Sequence, residues 1–330
     1  METGIIVLGM HRGGTSLTAS LVHAYGLYAG DEELLMKGNA ENRRGYWEYI
    51  PLVEFNDELL ASVGAKWCIP PTDEGYEELE RKSSEPRYRN RALRLIETMQ
   101  EGGRPWFWKD PRLGVLLPFW KNIWNDVAYL IPLRHPLEIA LSLQKRDTYP
   151  ISASLLIWQR YMLAILEGTE TARNRLFIEY ERLVENPVEQ CEHLHLFLNR
   201  FYKAEVSKPQ IIENLVQTIV PELRHNNSNS LFLSVPQATE DQKALDDFLR
   251  GMVEKQIGHF SQTKFSIYSG WREYIVTLNV MLRLWSLLPE NDKKRQFSQL
   301  PFFLYHFKHR FFANHSFINP VHFCFISDRL

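Results

Sequence analysis

A glycine-rich stretch near the start of the chain, GMHRGGTSL (residues 9–17), has the residue types and the spacing of an anion-binding loop. Gly9 and Gly14 are separated by four residues, as in a phosphate-binding loop, but Thr15 and Ser16 follow where such a loop carries a lysine and a hydroxyl residue. The apolar run GIIVL before it and the helical pattern after it predict a strand, a loop and a helix. In that arrangement, backbone N–H groups at the helix N-terminus face an anion.

Arg12 places a positive charge inside this loop. The sequence offers no evident substitute for the terminal lysine or for the magnesium ion of a nucleoside triphosphatase. The pattern therefore indicates a phosphate-like group held by an arginine, hydroxyls and backbone amides. A simple glycine turn before a helix is the alternative, and the predicted strand and helix on either side make it the weaker interpretation.

A second candidate site lies in the stretch YLIPLRHPLEIALSLQKR (residues 129–146). Arg134 ends an apolar run that predicts a strand, and Pro136 opens the helix that follows. Ser142 then lies in the second turn, with Arg146 one turn further along the same helix face. An arginine at a strand end and a hydroxyl on the next helix can hold one phosphate between them. The alternative is a helix-capping arginine and an incidental core serine.

Together the two stretches resemble the sulfotransferases that use 3′-phosphoadenosine 5′-phosphosulfate (PAPS). HRGGTS is similar to the element that binds the 5′-phosphosulfate in that family, and the resemblance implies this role for Arg12, Gly13, Gly14, Thr15 and Ser16. RHPLEIALS matches the second element, R-x-P-x5-S, at Arg134, Pro136 and Ser142. The resemblance implies that this element binds the 3′-phosphate.

Four blocks resemble the bacterial, glycan-type branch in its order: NAENRRGYWE, WKDPRLGVLLPFW, LRHPLEIALSLQKR and FIEYERLVENP, over roughly residues 4–200. The R-K-G block of the small-molecule branch has no counterpart, so either another basic residue contributes or Arg134, Ser142 and Arg146 hold the 3′-phosphate alone. The resemblance implies transfer of a sulfonate from PAPS, without a metal, to a hydroxyl of a glycan, a glycolipid or another small hydroxylated acceptor.

Three side chains are candidates for catalysis, Arg12, Glu48 and Lys109, and His11 is a rival for one of them. Arg12 has a guanidinium fork that can hold phosphate and sulfonate oxygens together. Glu48, in NRRGYWEY, lies where glycan-type relatives often place a catalytic glutamate, so we expect it to be the base; a surface glutamate paired with a nearby arginine is the alternative. His11 is a rival base. Lys109, in WKDPR, is expected to contact the leaving phosphate or to orient the acceptor, whereas Asp110 before a proline is more simply a turn residue.

The elements that must position these residues alternate in type. The runs GIIVL, PWFWKD, VAYLIPL and RLFIEY are strand-like, and helical patterns follow each of them. This alternation predicts a three-layer α/β fold with a parallel sheet. Residues 27–104 are predicted to be irregular apart from a helix in RNRALRLIETMQEGG. We expect a sulfotransferase domain over 1–265 and a helical C-terminal extension over 266–330, with a loop at 224–230 and helices at 239–257 and 271–288.

Composition narrows the class of protein. A net charge of −2 in 330 residues argues against nucleic acid as the main ligand. Three cysteines far apart predict neither disulfides nor a zinc site and suit a reducing compartment. A first strand from about Gly4 and the lack of an 18-residue apolar run predict no signal peptide and no spanning helix, hence a cytoplasmic protein. The Phe- and His-rich tail from Leu300 is expected to pack on the core; the alternative is an interfacial segment that contacts a lipid-linked acceptor at the inner face of the membrane.

Two other functions fit parts of the pattern. A nucleotide kinase or another nucleoside triphosphatase would use the same kind of loop, but it would require magnesium and the lysine that is missing at Thr15. A non-catalytic protein that kept the fold would bind the nucleotide without turnover.

Overall fold

The computed structural model describes residues 4–38, 45–124, 126–204, 206–219 and 235–255. A sheet of four parallel strands lies at the centre of this part: β1 (Gly4–Val7), β2 (Phe107–Lys109), β3 (Val127–Leu133) and β4 (Arg175–Glu179). The strand order is β2-β1-β3-β4. The sheet and its helices confirm the predicted α/β fold.

Helices connect and flank the strands. Their bounds are α1 Thr15–Ala24, α2 Ile50–Ser62, α3 Asp73–Lys82, α4 Pro86–Gln100, α5 Leu113–Trp120, α6 Pro136–Asp147, α7 Ile151–Gly168, α8 Tyr180–Glu185, α9 Pro187–Leu198, α10 Lys208–Thr218 and α11 Glu240–Lys255. Parallel pairing requires such crossovers, because the chain must return to the same end of the sheet before each new strand. Helix α11 confirms the helix expected within residues 239–257.

Strand β1 is the centre of the core. All four of its residues are buried, as expected for an apolar run covered on both faces. Ile5 and Val7 pack in one cluster with α1, α9 and α10. Side chains alternate along a strand, so Trp108 of β2 lies on the opposite face from Phe107, where it contacts Trp120 of α5 at a ring distance of 5.3 Å. Helices therefore cover both faces of the sheet.

The strand order reverses at β1, since β2 pairs on one side of it and β3 on the other. In an open parallel sheet, ligands bind outside the carboxyl ends of the strands at such a reversal. The segments that leave β1, β2 and β3 at this edge begin at Leu8, Asp110 and Arg134. They carry both of the candidate sites identified in the sequence.

The prediction for residues 27–104 is wrong, because α2 and α3 lie there in addition to α4. The charge-rich stretch of α3 forms a helix whose buried face is narrow, with Leu79 fully buried. Thr72 caps it by accepting a hydrogen bond from the Gly75 N–H at 3.1 Å. Acidic residues in the first turn and basic residues in the last turn stabilise the helix dipole. The cap and the charged turns are visible in the sequence, but the high polarity of the stretch led to the prediction of an irregular segment.

Several predictions fall on residues outside the described ranges. They are the loop at 224–230, the helix at 271–288 and the C-terminal extension at 266–330, and the boundary between 265 and 266 stays a prediction. Within the described ranges, no helix combines the length and the apolarity needed to cross a bilayer.

Candidate anion-binding and transfer site

The loop after β1 turns tightly into α1. The Gly13 N–H donates to the Met10 carbonyl at 3.0 Å, and Arg12 and Gly14 both have left-handed backbone angles, with φ of 66° and 91°. At Gly14 a Cβ atom would lie 2.7 Å from the ring of Tyr180, so this position needs glycine for both its backbone angle and its contact. Helix α1 then begins at Thr15 with no acidic residue in its first turn, which leaves its positive dipole end available to an anion.

The two candidate sites meet at Arg12. Its Nε donates to the Oγ of Ser142 at 2.7 Å, and Nη1 of Arg134 donates to the Arg12 carbonyl at 3.1 Å. The loop after β1 is thus hydrogen-bonded to both parts of the β3–α6 unit. Residues that the sequence placed at two separate phosphate sites form one hydrogen-bonded cluster at the edge of the sheet.

Glu138 and Tyr180 fix the orientation of Arg134. The Nε and Nη2 atoms of Arg134 each lie 3.0 Å from Oε2 of Glu138, one turn into α6, and the Glu138 side chain is fully buried. The guanidinium carbon lies 4.8 Å from the centre of the Tyr180 ring. The same ring faces Gly14, so Tyr180 packs between the loop and Arg134.

Arg146 lies over the indole ring of Trp67. Its guanidinium carbon is 5.2 Å from the ring centre, and its Nε donates to Asp147 at 2.8 Å. Trp67 sits at the tip of a tight turn closed by reciprocal backbone hydrogen bonds between Lys66 and Ile69. Sequence reasoning missed Trp67, because nothing local links this turn to the loop after β1.

Glu48 and Lys109 form a buried ion pair. The Nζ of Lys109 lies 2.5 Å from Oε1 of Glu48, and the two residues are only 2% and 5% exposed. Burial raises the pKa of Glu48 above its usual value of 4.5, although the charge of Lys109 opposes the shift. The alternative of a surface glutamate is therefore wrong: Glu48 is buried beside the end of β2, where Lys109, another catalytic candidate, binds it.

A polar network holds Arg112 beside this pair. Its Nη1 lies 3.8 Å from Oε2 of Glu48 and 2.9 Å from Oδ1 of Asp110, and its Nε lies 2.6 Å from Oδ1 of Asp57. Asp110 also accepts from the Arg112 backbone N–H at 3.0 Å, which is the turn role expected for it. Its other oxygen accepts from Asn56 at 2.8 Å. The contributions of Asn56 and Asp57 had no signal in the sequence, because α2 itself was not predicted.

His11 is packed between two aromatic rings. Its ring centre lies 4.5 Å from that of Trp67 and 6.2 Å from that of Tyr161. Its Nε2 is buried and makes no hydrogen bond within the described part of the chain. Burial lowers the pKa of His11 well below 6.5, and nearby cations lower it further: Arg112, Arg146, Lys109 and Arg12. His11 is therefore a neutral imidazole at pH 7.

The aromatic residues before Glu48 point in different directions. Trp47 stacks on His23 in the last turn of α1, with ring centres 4.4 Å apart, at the opposite end of that helix from the loop. Tyr46 lies nearer the site, with its ring centre 6.0 Å from Nζ of Lys109. Of the two rings, only Tyr46 borders the Glu48–Lys109 pair.

The described residues include no group of three or more His, Cys, Asp or Glu side chains arranged to hold a metal ion. Arg12 and the N-terminus of α1 bring positive charge to the loop, the charge of Arg134 is paired with Glu138, and Glu48 is a buried carboxylate with a raised pKa.

No protein-family model matches the chain, and no curated protein matches it in sequence. Three of the solved structures that are similar to it are sulfotransferases or sulfotransferase domains. The sulfotransferase domain of the Synechococcus PCC 7002 olefin synthase is 16% identical, with a TM-score of 0.42, and the match covers 76% of this chain and 89% of that one. The sulfotransferase domain from the curacin biosynthetic pathway is 16% identical, with a TM-score of 0.41, and the match covers 79% of this chain and 99% of that one. Sulfotransferase STF9 from Mycobacterium avium is 15% identical, with a TM-score of 0.41, and the match covers 77% of this chain and 76% of that one. Because the TM-scores are below 0.5, these similarities do not show what this chain does, and its function is inferred from the site alone.

Proposed function

We propose that this protein is a sulfotransferase, which moves a sulfonate group from PAPS to a hydroxyl of a carbohydrate or glycolipid acceptor. The observation that carries the proposal is the junction at Arg12, which binds Ser142 through its side chain and Arg134 through its carbonyl. A donor with charged groups at both its 5′ and 3′ positions needs two anion contacts held in a fixed relation. Through these two hydrogen bonds, the candidate contact for the 5′ group is linked directly to the candidate contact for the 3′ group.

The donor would be held by both halves of the site. Arg12 and the backbone amides from Gly13 to Ser16 would bind the phosphosulfate at the N-terminus of α1. Arg134 and Ser142 would bind the 3′-phosphate, and the contribution of Arg146 stays a prediction. Arginine suits both positions, because its planar fork binds two oxygens of one phosphate or sulfonate group.

Sulfonate transfer requires an in-line acceptor and stabilisation of the charge that develops on the bridging oxygen, as phosphoryl transfer does. Arg12 would supply that stabilisation, and a preorganised donor of this kind typically lowers a barrier by ~3 kcal/mol. A bound metal ion is not needed for this role, so we expect activity without magnesium.

Glu48 would remove the proton from the acceptor hydroxyl. Its raised pKa makes its carboxylate a stronger base than an exposed glutamate. Lys109 holds Oε1 at 2.5 Å, and we assign Oε2 to the acceptor hydroxyl. In this arrangement Lys109 positions Glu48, and a direct contact between Lys109 and the leaving phosphate stays a further prediction. The acceptor class and the cytoplasmic location belong to the same proposal. Packing of the tail from Leu300 on the core stays a prediction, with a peripheral membrane contact as its alternative.

The decisive experiment compares ligands by thermal stabilisation. The reaction's nucleotide product, 3′-phosphoadenosine 5′-phosphate, should raise the melting temperature without magnesium. ATP should do much less with or without magnesium, because it lacks the 3′-phosphate. Equal stabilisation by the two ligands, or a magnesium requirement, would point to a nucleotide kinase. Tight binding of the bisphosphate with no transfer from labelled PAPS to any glycan or glycolipid in a panel would point to a non-catalytic binding protein.

A further inference from the structure

Trp47, the residue before Glu48, has a left-handed backbone, with a φ of 58°. Within the described part of the chain, two other residues besides glycine have a positive φ: Arg12 in the anion-binding loop and Thr148, which caps the C-terminus of α6. A left-handed residue is common at a helix C-terminus, but it is rare for a bulky side chain elsewhere. This backbone is disfavoured roughly 5- to 30-fold in an L-residue, so surrounding contacts must hold Trp47 in it.

The left-handed residue lies in a bulge of a short antiparallel pairing. Met36 donates its N–H to the Glu48 carbonyl at 2.8 Å and accepts from the Tyr46 N–H at 3.3 Å. In a regular antiparallel pair, both hydrogen bonds of one residue go to the same residue opposite. Here they go to residues two apart, and Trp47 is the residue between them. Bulges bend the chain and change the direction of a side chain, and they are common beside active sites.

The indole ring of Trp47 is anchored on α1. Its centre lies 4.4 Å from that of His23 in the last turn of this helix, with the ring planes tilted by 35°. It also packs against the buried cluster that joins β1 to α1, α9 and α10. These contacts stabilise the bulge and offset the cost of the left-handed backbone.

The side chains on either side of Trp47 border the candidate transfer site. Oε1 of Glu48 lies 2.5 Å from Nζ of Lys109, and the ring centre of Tyr46 lies 6.0 Å from the same atom. The indole and the carboxylate therefore leave the bulge towards different contacts. Both partners of the ion pair are buried, so a change in the direction of the Glu48 side chain would leave the Lys109 charge without its partner.

We infer that Trp47 is a positioning residue: the bulge that it forms, fixed by its indole on α1, directs Glu48 to Lys109 and towards the acceptor. The inference rests on the proposed function for the role of Glu48 as a base. It requires two properties of Trp47 at once, a left-handed backbone and an aromatic ring that holds the backbone there. The two properties can be separated by mutation, because glycine adopts the left-handed backbone freely and alanine does not.

The test compares Trp47→Ala with Trp47→Gly in the full chain, with PAPS and an acceptor from the glycan panel. Both variants lose the indole, but only glycine adopts the left-handed backbone without strain. Trp47→Gly should therefore transfer faster than Trp47→Ala in single turnovers at saturating donor, by up to roughly 30-fold. Affinity for 3′-phosphoadenosine 5′-phosphate should be kept in both. In an ordinary backbone conformation glycine would be the worse replacement, because it gives the unfolded chain more freedom.

A second measurement does not depend on transfer. The carboxyl NMR resonance of Glu48, assigned in glutamate-labelled protein by its loss in Glu48→Gln, reports the environment of the carboxylate as pH is varied. Burial raises the pKa of Glu48 above 4.5 in the wild type. In Trp47→Ala this pKa should fall towards 4.5, because the carboxylate moves towards solvent and away from Lys109. In Trp47→Gly it should stay near the wild-type value.

Two further variants serve as controls. Gly103 has a φ of 62°, has nothing within 4 Å of a Cβ atom, and precedes β2 at the end of that strand away from Lys109. Gly103→Ala should therefore be destabilised but should keep the transfer rate and the pKa of Glu48. His23→Ala removes the other ring of the stack, so it should change both quantities in the same direction as Trp47→Ala, by a smaller amount. Because His23 is exposed, this variant is expected to fold even if the Trp47 variants do not.

Transfer by Trp47→Ala at or above the rate of Trp47→Gly would overturn the inference. A Glu48 pKa that is the same in wild type, Trp47→Ala and His23→Ala would also overturn it. An equal loss of transfer in Gly103→Ala would do so as well, because general destabilisation would then explain the effect. A wild type that neither binds the bisphosphate nor transfers to any acceptor would overturn the proposed function, and the Glu48 resonance would still decide whether Trp47 sets the position of the carboxylate.

Discussion

The Nε of Arg12 lies 2.7 Å from the Oγ of Ser142, although the two residues are 130 positions apart in the chain. The contact joins the loop after β1 to the helix after β3, across the two central strands of the sheet. The folded core therefore sets the distance between the two candidate phosphate contacts. The predictions below test what this spacing and the adjoining ion pair do.

Arg134→Ala is expected to weaken binding of 3′-phosphoadenosine 5′-phosphate by ~1.5–3 kcal/mol, the range for a lost hydrogen bond to a charged group. The loss should be much smaller for adenosine 5′-phosphosulfate, which has no 3′-phosphate. Titration calorimetry with both ligands measures the difference. Arg182→Ala is the control, since Arg182 on α8 is a partly exposed arginine paired with Glu179. Equal weakening of both ligands would make Arg134 structural.

Glu48→Gln is expected to lower single-turnover transfer by roughly 10²–10⁴-fold while bisphosphate affinity is kept, because a base acts on the acceptor and does not touch the nucleotide. It should also lower the free energy of unfolding by ~3 kcal/mol, since Lys109 stays buried without its carboxylate. The double variant Glu48→Gln with Lys109→Met should regain stability and remain inactive. Transfer near the wild-type rate by Glu48→Gln would remove Glu48 from the mechanism.

The pH dependence of turnover should reflect the ionisation of the Glu48 carboxylate. Burial raises the pKa of Glu48 above 4.5, so the base is lost by protonation as pH falls through that raised value. The acidic limb of the pH–rate profile at saturating donor should therefore lie above pH 4.5. It should disappear from the residual activity of Glu48→Gln; an unchanged limb in that variant would assign the titration to another group.

Gly14→Ala is expected to destabilise the protein and to weaken nucleotide binding. Its Cβ would lie 2.7 Å from the Tyr180 ring, and its φ of 91° is left-handed. Gly26→Ala is the matched control, because Gly26 has a φ of 112° but nothing within 4 Å of a Cβ atom. The control should lose only the ~1–2 kcal/mol of a left-handed alanine, with unchanged nucleotide affinity. Similar affinities in the two variants would show that the contact between Gly14 and Tyr180 does not shape the site.

Asp110→Ala and Asp57→Ala remove the two aspartates that bind Arg112. Asp110 is fully buried and holds Arg112 and Asn56, so its loss should cost ~3–5 kcal/mol in urea unfolding. The Asp57 side chain is 53% exposed, so its loss should cost less than ~1 kcal/mol. Equal losses of unfolding free energy in the two variants would mean that burial does not determine how much each aspartate stabilises the protein.

The sequence by itself determined the elements of the site. The loop was readable because glycine spacing, an apolar run before it and a helical pattern after it are all local signals. Strand β3 and helix α6 were predicted for the same reason. Helices α2 and α3 were missed because their weak apolar patterns and high polarity hid local signals such as the Thr72 cap.

Tertiary structure alone decided which of these residues meet. Nothing in the spacing of the sequence pairs Glu48 with Lys109, 61 positions away, or brings Trp67 onto His11. Such contacts follow from the strand order β2-β1-β3-β4, which places the segments after three strands at one edge of the sheet. Protonation states follow from the same packing, because burial and neighbouring charges, which local sequence does not encode, hold His11 neutral and raise the pKa of Glu48.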